Sequence, residues 1–552
     1  MSRRIASVTS CVGWVEARWT WVLLLVGAVL LLANLGNIYL WQDEAETALL
    51  SQRLGDYGLP LAFDGRNLIR QAPQDVQYTS DYVWVYHPWL PFYFTAASFA
   101  LLGTTTFAAR LPYALAGLGT ILLLYFSLRH HFRDRRIAVL GSLLLLLCVP
   151  FLLHARQCKY FPFAALFTVA ALDAYLRLRE TPEGRNALPY FILAGVCLFH
   201  SNFGAFVPLM AAVGLHFVLT RPRWTDVRRI ALGIGILALL TIPWAVYLQT
   251  LGRGSFVFDV YRFAGHLAHY AVYLTGWVMP LPLLLLFVYW YMRGRAGQSL
   301  SLRSRPSLSA TERSVINLYV AVVVLTVLFL SESFIWMYFS YIVQLVPLLA
   351  ACLAITVLWI VDRSRPLGYG LIALLLATNV LHAVPYALPV ARSFQWASLA
   401  PRPYLAQTDE LVATAGRVRF DLLDYAYELT HDYDGPDEGI VLYLEVNARR
   451  GDMVLANYGE LPIAFYTGLD IAGGLSAYRL ESVGQPEWVI DRKDGPYRDE
   501  MGRVLATGNY EAVEILYPDI LWGNRPVPEY HKFATVRGVP NVVVYHRRGE
   551  SR

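Results

Sequence analysis

Long apolar runs separated by short polar segments occupy the first 390 residues of the chain. A helix crosses the hydrocarbon core of a membrane with about 20 apolar residues, and eleven runs approach that length. The fifth and sixth runs are short, and only Ser201 and Asn202 separate them. The pattern therefore predicts an α-helical polytopic membrane protein with about eleven transmembrane helices. The runs cover residues 20–40, 109–129, 137–153, 161–179, 188–200, 203–219, 230–249, 270–292, 314–330, 338–361 and 367–386.

The basic residues between the runs predict the orientation of the chain, because cytoplasmic loops carry an excess of Lys and Arg. If the N-terminus is cytoplasmic, every basic cluster is cytoplasmic as well, provided that the apolar stretch 88–103 does not cross the membrane. Pro88 and Pro91 and a length of about 16 residues suit an interfacial helix within an external loop, residues 41–108. The clusters cover residues 3–4, 129–136, 177–185, 221–229, 293–313 and 362–365.

From about residue 391 the long apolar runs stop, and more than half of the acidic residues lie beyond this point. The segment 408–430 has a helical pattern, and short β-type runs follow, punctuated by Gly and Pro. We expect a membrane domain at residues 1–390 and a soluble extracytoplasmic α/β domain at residues 391–552. The predicted strands cover residues 453–457, 462–466, 488–491, 513–517 and 541–546.

The overall composition supports a membrane protein and argues against several other classes. Hydrophobic residues make up 56% and charged residues 16% of the chain, and the mean hydropathy is +0.42. The net charge is +5, and the arginines lie in short clusters beside apolar runs. This distribution indicates which loops are cytoplasmic, and it does not resemble the basic surface of a nucleic-acid-binding protein. The five cysteines are scattered without a CxxC spacing, which indicates neither a zinc knuckle nor a disulfide framework.

Asp43 and Glu44 follow the first apolar run directly. Two adjacent carboxylates at a membrane mouth suit a reaction on a lipid-linked substrate, because they meet the lipid headgroup at its own depth. The simpler alternative is that these residues mark the end of a membrane helix, where the chain enters water and acidic side chains are common.

The predicted external segments bring carboxylates, imidazoles and permanent cations to one face, which suits an anionic lipid headgroup. Lys159 is the only lysine before the terminal domain, and it is a candidate phosphate contact or a snorkelling interfacial lysine. The polar residues of this face are Asp43, Glu44, Glu46, His87, Arg110, Arg156, Lys159, Arg253, Asp259, Arg262, His266, His269 and Glu332.

Several of these residues have two open interpretations. Arg110, at the start of the second run, either holds the first loop through a carboxylate or contacts a phosphate. His87 either contacts substrate or metal, or caps the interfacial helix. His266 and His269 share a helix face and would suit a divalent cation together with Asp43, although such pairs are common without metal. Tyr82 belongs to an aromatic group that anchors the interface or stacks on a sugar ring.

Four segments in this order resemble the bacterial relatives of protein O-mannosyltransferases and the lipid A aminoarabinose transferases, glycosyltransferases of families 39 and 83. These are GT-C fold enzymes that use polyprenyl-phosphate sugars. The resemblance covers about the first 200 residues closely. The segments are Trp41-Gln42-Asp43-Glu44-Ala45, Tyr86-His87-Pro88, Ala109-Arg110-Leu111-Pro112 and Ala155-Arg156-Gln157-Cys158-Lys159-Tyr160.

The resemblance implies that Asp43 is the general base or a metal-bound acid and that Glu44 is its partner. Loop position alone makes Arg262 and His266 candidates for donor-phosphate contact, and His266 a candidate metal ligand beside Asp43. The chain departs from its relatives at Tyr86, where the aminoarabinose branch has glutamate, and at Trp89, where a second proline is usual. The resemblance therefore leaves open whether the chain depends on a metal and whether it uses the substrate of the aminoarabinose branch.

The resulting hypothesis is an inverting membrane glycosyltransferase of the bacterial inner membrane. The phosphate of a polyprenyl-phosphate sugar would bind Arg262, Lys159, Arg156 or Arg110, and a lipid, glycan or protein would be the acceptor. Cations or a divalent metal would neutralise the leaving phosphate. The alternative is a lipid or polysaccharide transporter without transferase activity, for which inverted repeats and midplane charges would be typical.

Overall fold

The computed structural model describes residues 18–71, 76–180, 186–220, 224–248, 258–295, 308–333, 337–388, 406–507, 509–521 and 524–548. The predicted domain boundary near residue 390, the basic N-terminus and parts of three predicted cytoplasmic clusters lie outside these residues.

Helices form the membrane domain, and each of the eleven predicted runs contains a helix in the described part of the chain, although the first run is helical only to Leu32. By length and composition five helices can cross a membrane, or up to eight if each of three bent pairs is one span. The helices are α1 (Arg18–Leu32), α2 (Gln42–Tyr57), α3 (Leu90–Leu102), α4 (Thr106–His131), α5 (Arg135–Leu146), α6 (Val149–Ala155), α7 (Phe161–Glu180), α8 (Ala187–Phe199), α9 (Phe203–Leu219), α10 (Trp224–Tyr247), α11 (Val260–Trp277), α12 (Leu281–Arg295), α13 (Ala310–Ser333), a 3-10 helix (Phe339–Leu345), α14 (Val346–Arg363), α15 (Arg365–Ala377) and α16 (Val380–Ala387).

Three predicted runs are bent rather than straight. The bends are 64° between α5 and α6, 102° between α11 and α12, and 85° between α15 and α16. Pro150 and Pro280 stand at the first two breaks, where proline removes a helical hydrogen bond. At the third break, Asn379 N–H donates to Arg419 O, and the Asn379 side chain accepts from Arg419 N–H. Contact with the terminal domain therefore replaces helical hydrogen bonds there.

Two helices lie in the first predicted external loop. Helix α3 has 13 residues, about 20 Å, which is too short to cross the hydrocarbon core. It begins just after Pro88, as the interfacial assignment expects. Helix α2 has 16 residues, eleven of them buried, so it belongs to the interior of the protein.

The terminal domain contains a mixed five-stranded sheet in the order β2-β1-β3-β5-β4. β1 pairs in parallel with β2 and β3, whereas β5 pairs antiparallel with β3 and β4. Its elements are α17 (Ala406–Ala415), α18 (Asp421–Glu428), α19 (Pro436–Asn447), β1 (Met453–Ala456), α20 (Glu460–Thr467), β2 (Asp470–Gly473), β3 (Trp488–Ile490), α21 (Arg498–Thr507), β4 (Tyr510–Pro518) and β5 (Asn541–Arg547).

One prediction for this domain was wrong, and one helical segment is divided in two. The segment 462–466 is helical within α20, because a short apolar run does not distinguish a buried strand from a buried helix. The segment 408–430 is mostly helical, as predicted, but it forms two helices, α17 and α18. They separate at Gly416, where an added Cβ would lie 3.1 Å from Tyr386 O, so close backbone approach requires glycine there.

One apolar core joins the first external loop to the terminal domain. Leu50, Trp84 and Phe92 from the loop and α3 share a cluster with Leu461 of α20 and Trp488 of β3. Because this cluster is continuous, the terminal domain rests directly on the segment that carries the candidate carboxylates.

Candidate active site

Helix α2 presents three carboxylates within its first five residues. Asp43 and Glu44 lie in the first turn, where the partial positive charge of a helix N-terminus favours acidic side chains. Successive residues of an α-helix are rotated by about 100° around its axis. Asp43 and Glu46, three residues apart, therefore lie on the same side of the helix, whereas Glu44 lies on a different side. The three carboxylates therefore meet different surroundings.

Glu44 is fully buried and bound by Arg110 of α4. Arg110 Nε donates to Glu44 Oε1 at 2.8 Å, and Nη2 donates to Oε2 at 2.6 Å. The backbone N–H of Cys158 donates to the same carboxylate at 2.7 Å. Arg110 Nη1 also donates to the carbonyls of Leu35 and Ile38. Glu44 and Arg110 thus join α2, α4 and the segment before α2.

Arg156 binds the end of α1. Its Nη1 donates to the carbonyls of Leu30, Leu31 and Ala33. Its Nη2 donates to the carbonyl of Asn34 at 3.1 Å. Since the last carbonyls of a helix have no partners within it, Arg156 supplies the donors that end α1.

Glu46 is the centre of a second buried cluster. Lys159 Nζ donates to Glu46 Oε1 at 2.7 Å, and Gln71 Nε2 donates to Oε2 at 2.6 Å. His87 Nδ1 lies 3.3 Å from Glu46 Oε1. Burial alone would raise the pKa of Glu46, but the charges of Lys159 and His87 lower it to about 2. Burial opposes the charge of Lys159, yet Glu46 and Asp43 raise its pKa. Both partners are therefore ionised.

Asp43 lies beside this cluster with a half-buried side chain. Lys159 Nζ is 3.4 Å from its backbone oxygen. No hydrogen bond or ion pair within the described ranges uses its carboxylate. Its charge acts on the hydroxyl groups of Tyr160, Tyr338 and Tyr458. Of the three acids, Asp43 alone combines partial exposure with an uncommitted carboxylate.

The terminal domain contributes residues to this region that the sequence did not indicate. Gln42 Nε2 donates to Glu460 Oε1 at 2.6 Å. The guanidinium of Arg525 lies 5.0 Å from the centre of the Trp41 ring. Leu40 N–H donates to the hydroxyl of Tyr466 at 2.9 Å. These contacts join residues more than 400 positions apart, and no local pattern in the sequence connects them.

Arg262 and Glu332 lie on α11 and α13, and they contact each other. Arg262 Nη2 is 3.4 Å from Glu332 Oε1. Tyr341 lies within electrostatic range of Tyr160 beside Asp43 and of Tyr270 on α11.

Within the described ranges, Asp43 and His266 belong to no group of three metal-ligating side chains. His266 Nδ1 lies 3.2 Å from Ser331 O, and His269 Nδ1 lies 2.9 Å from Thr408 Oγ1. The one group of three metal-ligating side chains found among the described residues lies elsewhere, on α4 and α7. Metal binding by Asp43 and His266 therefore stays a prediction.

Tyr82 occupies an irregular segment of the first loop. Its φ is +60°, and its ring lies 5.0 Å from Phe63 and 5.6 Å from Tyr78. The side chain is 41% exposed. These contacts place Tyr82 in an aromatic group on the loop surface.

Part of the chain is similar to a known protein family. Residues 86–247 match the sequence model of the family described as dolichyl-phosphate-mannose-protein mannosyltransferase. This segment carries His87, Arg110, Arg156 and Lys159. A search of curated proteins finds no match.

Solved structures share the fold of nearly the whole chain. ArnT from Cupriavidus metallidurans bound to undecaprenyl phosphate is 16% identical over 97% of this chain and 98% of that chain, with a TM-score of 0.58. The apo state of ArnT from the same organism aligns at the same identity and coverage, with a TM-score of 0.54. The chain therefore has the predicted GT-C fold with a terminal α/β domain, and its similarity over residues 86–247 is to a family of glycosyltransferases, the predicted enzyme class.

Proposed function

We propose that this chain transfers a sugar from a polyprenyl-phosphate donor to an acceptor hydroxyl with inversion, and that Asp43 is the general base. The observation that carries the proposal is the uncommitted Asp43 carboxylate beside the buried Lys159 and Glu46 pair. The ArnT structure with undecaprenyl phosphate supports a donor of this chemical class. The predicted orientation places the reaction on the extracytoplasmic face of a bacterial inner membrane.

The reaction requires one proton acceptor and one leaving group. Asp43 removes the proton of the acceptor hydroxyl, and the oxygen attacks the anomeric carbon from the side opposite the phosphate. The bond between the anomeric carbon and the phosphate oxygen breaks, and its electron pair leaves with polyprenyl phosphate. The products are a glycosylated acceptor and polyprenyl phosphate.

Cations that neutralise the departing phosphate would supply much of the stabilisation. Lys159 retains one N–H donor, because an ammonium has three and the contacts with Glu46 Oε1 and the Asp43 backbone oxygen use two. Arg262 is partly exposed, and its contact with Glu332 is long at 3.4 Å, so it can exchange that partner for a phosphate. We assign these two residues to the donor phosphate.

Glu44, Arg110 and Arg156 act as positioning residues in this proposal. Arg110 and Arg156 donate to a buried carboxylate and to backbone carbonyls around residues 30–38, so a phosphate would have to compete for the same donors. Glu44 is enclosed by Arg110 and Cys158 N–H. Together they fix the segment from which Asp43 projects.

The test is transfer by purified full-length protein that carries Asp43→Asn. We expect transfer to fall to the background level while binding of polyprenyl phosphate is retained, because the variant keeps the shape of the side chain and loses its basicity. Asp56→Asn, at an exposed position in the last turn of the same helix, is the matched control and should leave transfer unchanged. Turnover at the wild-type rate by Asp43→Asn would remove Asp43 from the mechanism.

Lipid mass spectrometry of cells identifies the substrates at the same time. In cells with Asp43→Ala, the unmodified acceptor and the unused sugar carrier should both accumulate relative to wild type. Unchanged glycan products combined with lost movement of a lipid across the membrane would favour the transporter alternative.

A further inference from the structure

A group of two imidazoles and one carboxylate lies at the ends of α4 and α7, far from Asp43. His130 Nε2 lies 3.1 Å from Glu180 Oε2, and His131 Nδ1 lies 2.8 Å from Glu180 Oε1. The three ligand atoms, one from each residue, all lie within 4.8 Å of one another. Arg110, which binds Glu44, is 20 residues earlier on α4, roughly 30 Å away along the helix. The group is therefore separate from the candidate active site.

We propose that His130, His131 and Glu180 form a binding site for a first-row divalent metal ion such as Zn²⁺. Tetrahedral zinc with ligands at about 2.0–2.1 Å requires ligand atoms about 3.3 Å apart. The separations of 2.8 and 3.1 Å run to different oxygens of Glu180, and no two of the three ligand atoms are more than 4.8 Å apart. Rotation of the exposed His130 and Glu180 side chains can therefore bring the three ligand atoms around one ion. Two imidazoles with one carboxylate select Zn²⁺ and its neighbours over Mg²⁺ and Ca²⁺, which prefer oxygen ligands.

A fourth residue orients one of the ligands. Asp173 Oδ1 lies 3.1 Å from His131 Nε2, and Arg177 Nε donates to Asp173 Oδ2 at 2.7 Å. The side chains of His131 and Asp173 are 0% and 2% exposed. A carboxylate that accepts the N–H of one ring nitrogen leaves the lone pair on the other nitrogen, which is the usual support of a metal-binding histidine. Here that other nitrogen is Nδ1, which faces Glu180.

The site is accessible from one side and anchored from the other. The side chains of His130 and Glu180 are 41% and 26% exposed, which gives an ion a path from solvent and leaves room for a water ligand. The two imidazole rings meet edge to face, with centroids 4.8 Å apart. The ion would replace the proton that His131 needs in order to bridge two carboxylates, and it would fasten the end of α4 to the end of α7.

The experiment measures Zn²⁺ and Co²⁺ binding to full-length protein without a histidine tag, purified in detergent and stripped of metal. We expect one equivalent of Zn²⁺ to bind, and Co²⁺ to show the intense visible absorption of a tetrahedral site. Binding should be lost in His130→Ala and in Glu180→Gln, and it should weaken about 10- to 100-fold in Asp173→Asn. His431→Ala, at an exposed histidine outside the group, should bind as the wild type does.

Thermal unfolding provides the second readout. Zn²⁺ should raise the unfolding midpoint of the wild type and of His431→Ala, but not that of Glu180→Gln. Midpoints without metal show whether each variant is folded. Absence of stoichiometric binding by the wild type, or equal binding by His130→Ala and Glu180→Gln, would overturn the proposal and leave the group as a metal-free ion pair.

Discussion

Three acidic residues in one helix turn have three different environments. Glu44 is enclosed by Arg110 and a backbone N–H, and Glu46 is paired with Lys159. Asp43 is left half-buried at the edge of this network. The contacts of Glu44 and Glu46 fix the first turn of the helix. This rigid turn positions Asp43, the carboxylate that remains for chemistry.

Replacement of Lys159 by Met should strongly destabilise the protein. The change leaves the buried Glu46 carboxylate without its closest cation, which typically costs about 3–5 kcal/mol. The loss should appear as a lower unfolding midpoint in detergent at pH 8, and the additional change Glu46→Gln should restore part of it. A double variant as unstable as the sum of the two single variants would contradict the coupling.

The pH dependence of the same pair has a definite sign. The pKa of Glu46 is lowered from 4.5 to about 2, so in the wild type its contribution is present above pH 4.5 and is lost as the pH falls towards 2. In Lys159→Met the strongest contribution that opposes burial is removed, so the pKa of Glu46 should rise. The destabilisation should therefore shrink as the pH is lowered from 8 to 5, which unfolding midpoints across this range would measure.

At the scale of elements, arginine side chains organise the segment between α1 and α2. This segment follows a helix end and carries carbonyls that no regular structure satisfies. Arg156 binds two carbonyls of this segment and two at the end of α1, and Arg110 binds two more in the segment as well as Glu44. The start of α2 is therefore set by side chains of α4 and of the turn after α6, and the position of Asp43 depends on these elements.

Replacement of Arg156 by Ala should lower the stability by roughly 2–4 kcal/mol, because several buried carbonyls lose their donors together. Transfer should decrease as well, since the segment before Asp43 loosens. Arg66→Ala, at an exposed position in the first loop, is the control and should stay within about 0.5 kcal/mol of wild type. Midpoints and initial rates measure both effects; a normal midpoint for Arg156→Ala would show that the capping contacts are dispensable.

At the scale of the whole molecule, the terminal domain closes over the start of α2. Gln42 donates to Glu460, and Tyr466 binds both Leu40 N–H and Thr106. Glu460 is buried at this contact and also accepts from Leu475 N–H. Burial raises its pKa to about 7, so the junction of the two domains contains a carboxyl group that titrates near neutral pH.

Replacement of Glu460 by Gln should remove part of the pH dependence of stability. A raised pKa stabilises the folded protein below about pH 4.5, and this contribution is lost as the pH rises through 7. For Glu460 the loss is on the order of 3 kcal/mol. The variant keeps an acceptor oxygen, so its unfolding midpoint should fall less than that of the wild type between pH 5 and pH 8.

Glu481→Gln, at an exposed position, is the control, and the pH dependence of its unfolding midpoint should match that of the wild type. Comparison of variants is needed because burial also raises the pKa of other acids in this domain, which act in the same direction. Equal pH dependence in Glu460→Gln and wild type would show that Glu460 does not control the junction. The other acids are Asp424, Asp437, Glu438, Asp491 and Glu529.

The sequence predicted features that depend on neighbouring residues. Apolar runs located the membrane helices, and the composition change after residue 390 indicated a second, α/β region. The same local patterns failed at 462–466, where an apolar run of strand length is a helix, and at the three bends, where proline or the terminal domain interrupts a span. The predicted orientation, domain boundary and site roles stay predictions.

The sequence by itself determined that this chain crosses a membrane and carries an acidic pair after its first span, because hydrophobic length and charge are local properties. Only the tertiary structure decided that Glu44 is bound by Arg110, that Glu46 takes Lys159, and that Asp43 remains available. It also brought the terminal domain onto Gln42 through a contact 418 residues apart in sequence. The reason is physical: the role of a carboxylate depends on its burial and its partners, and distant segments supply both.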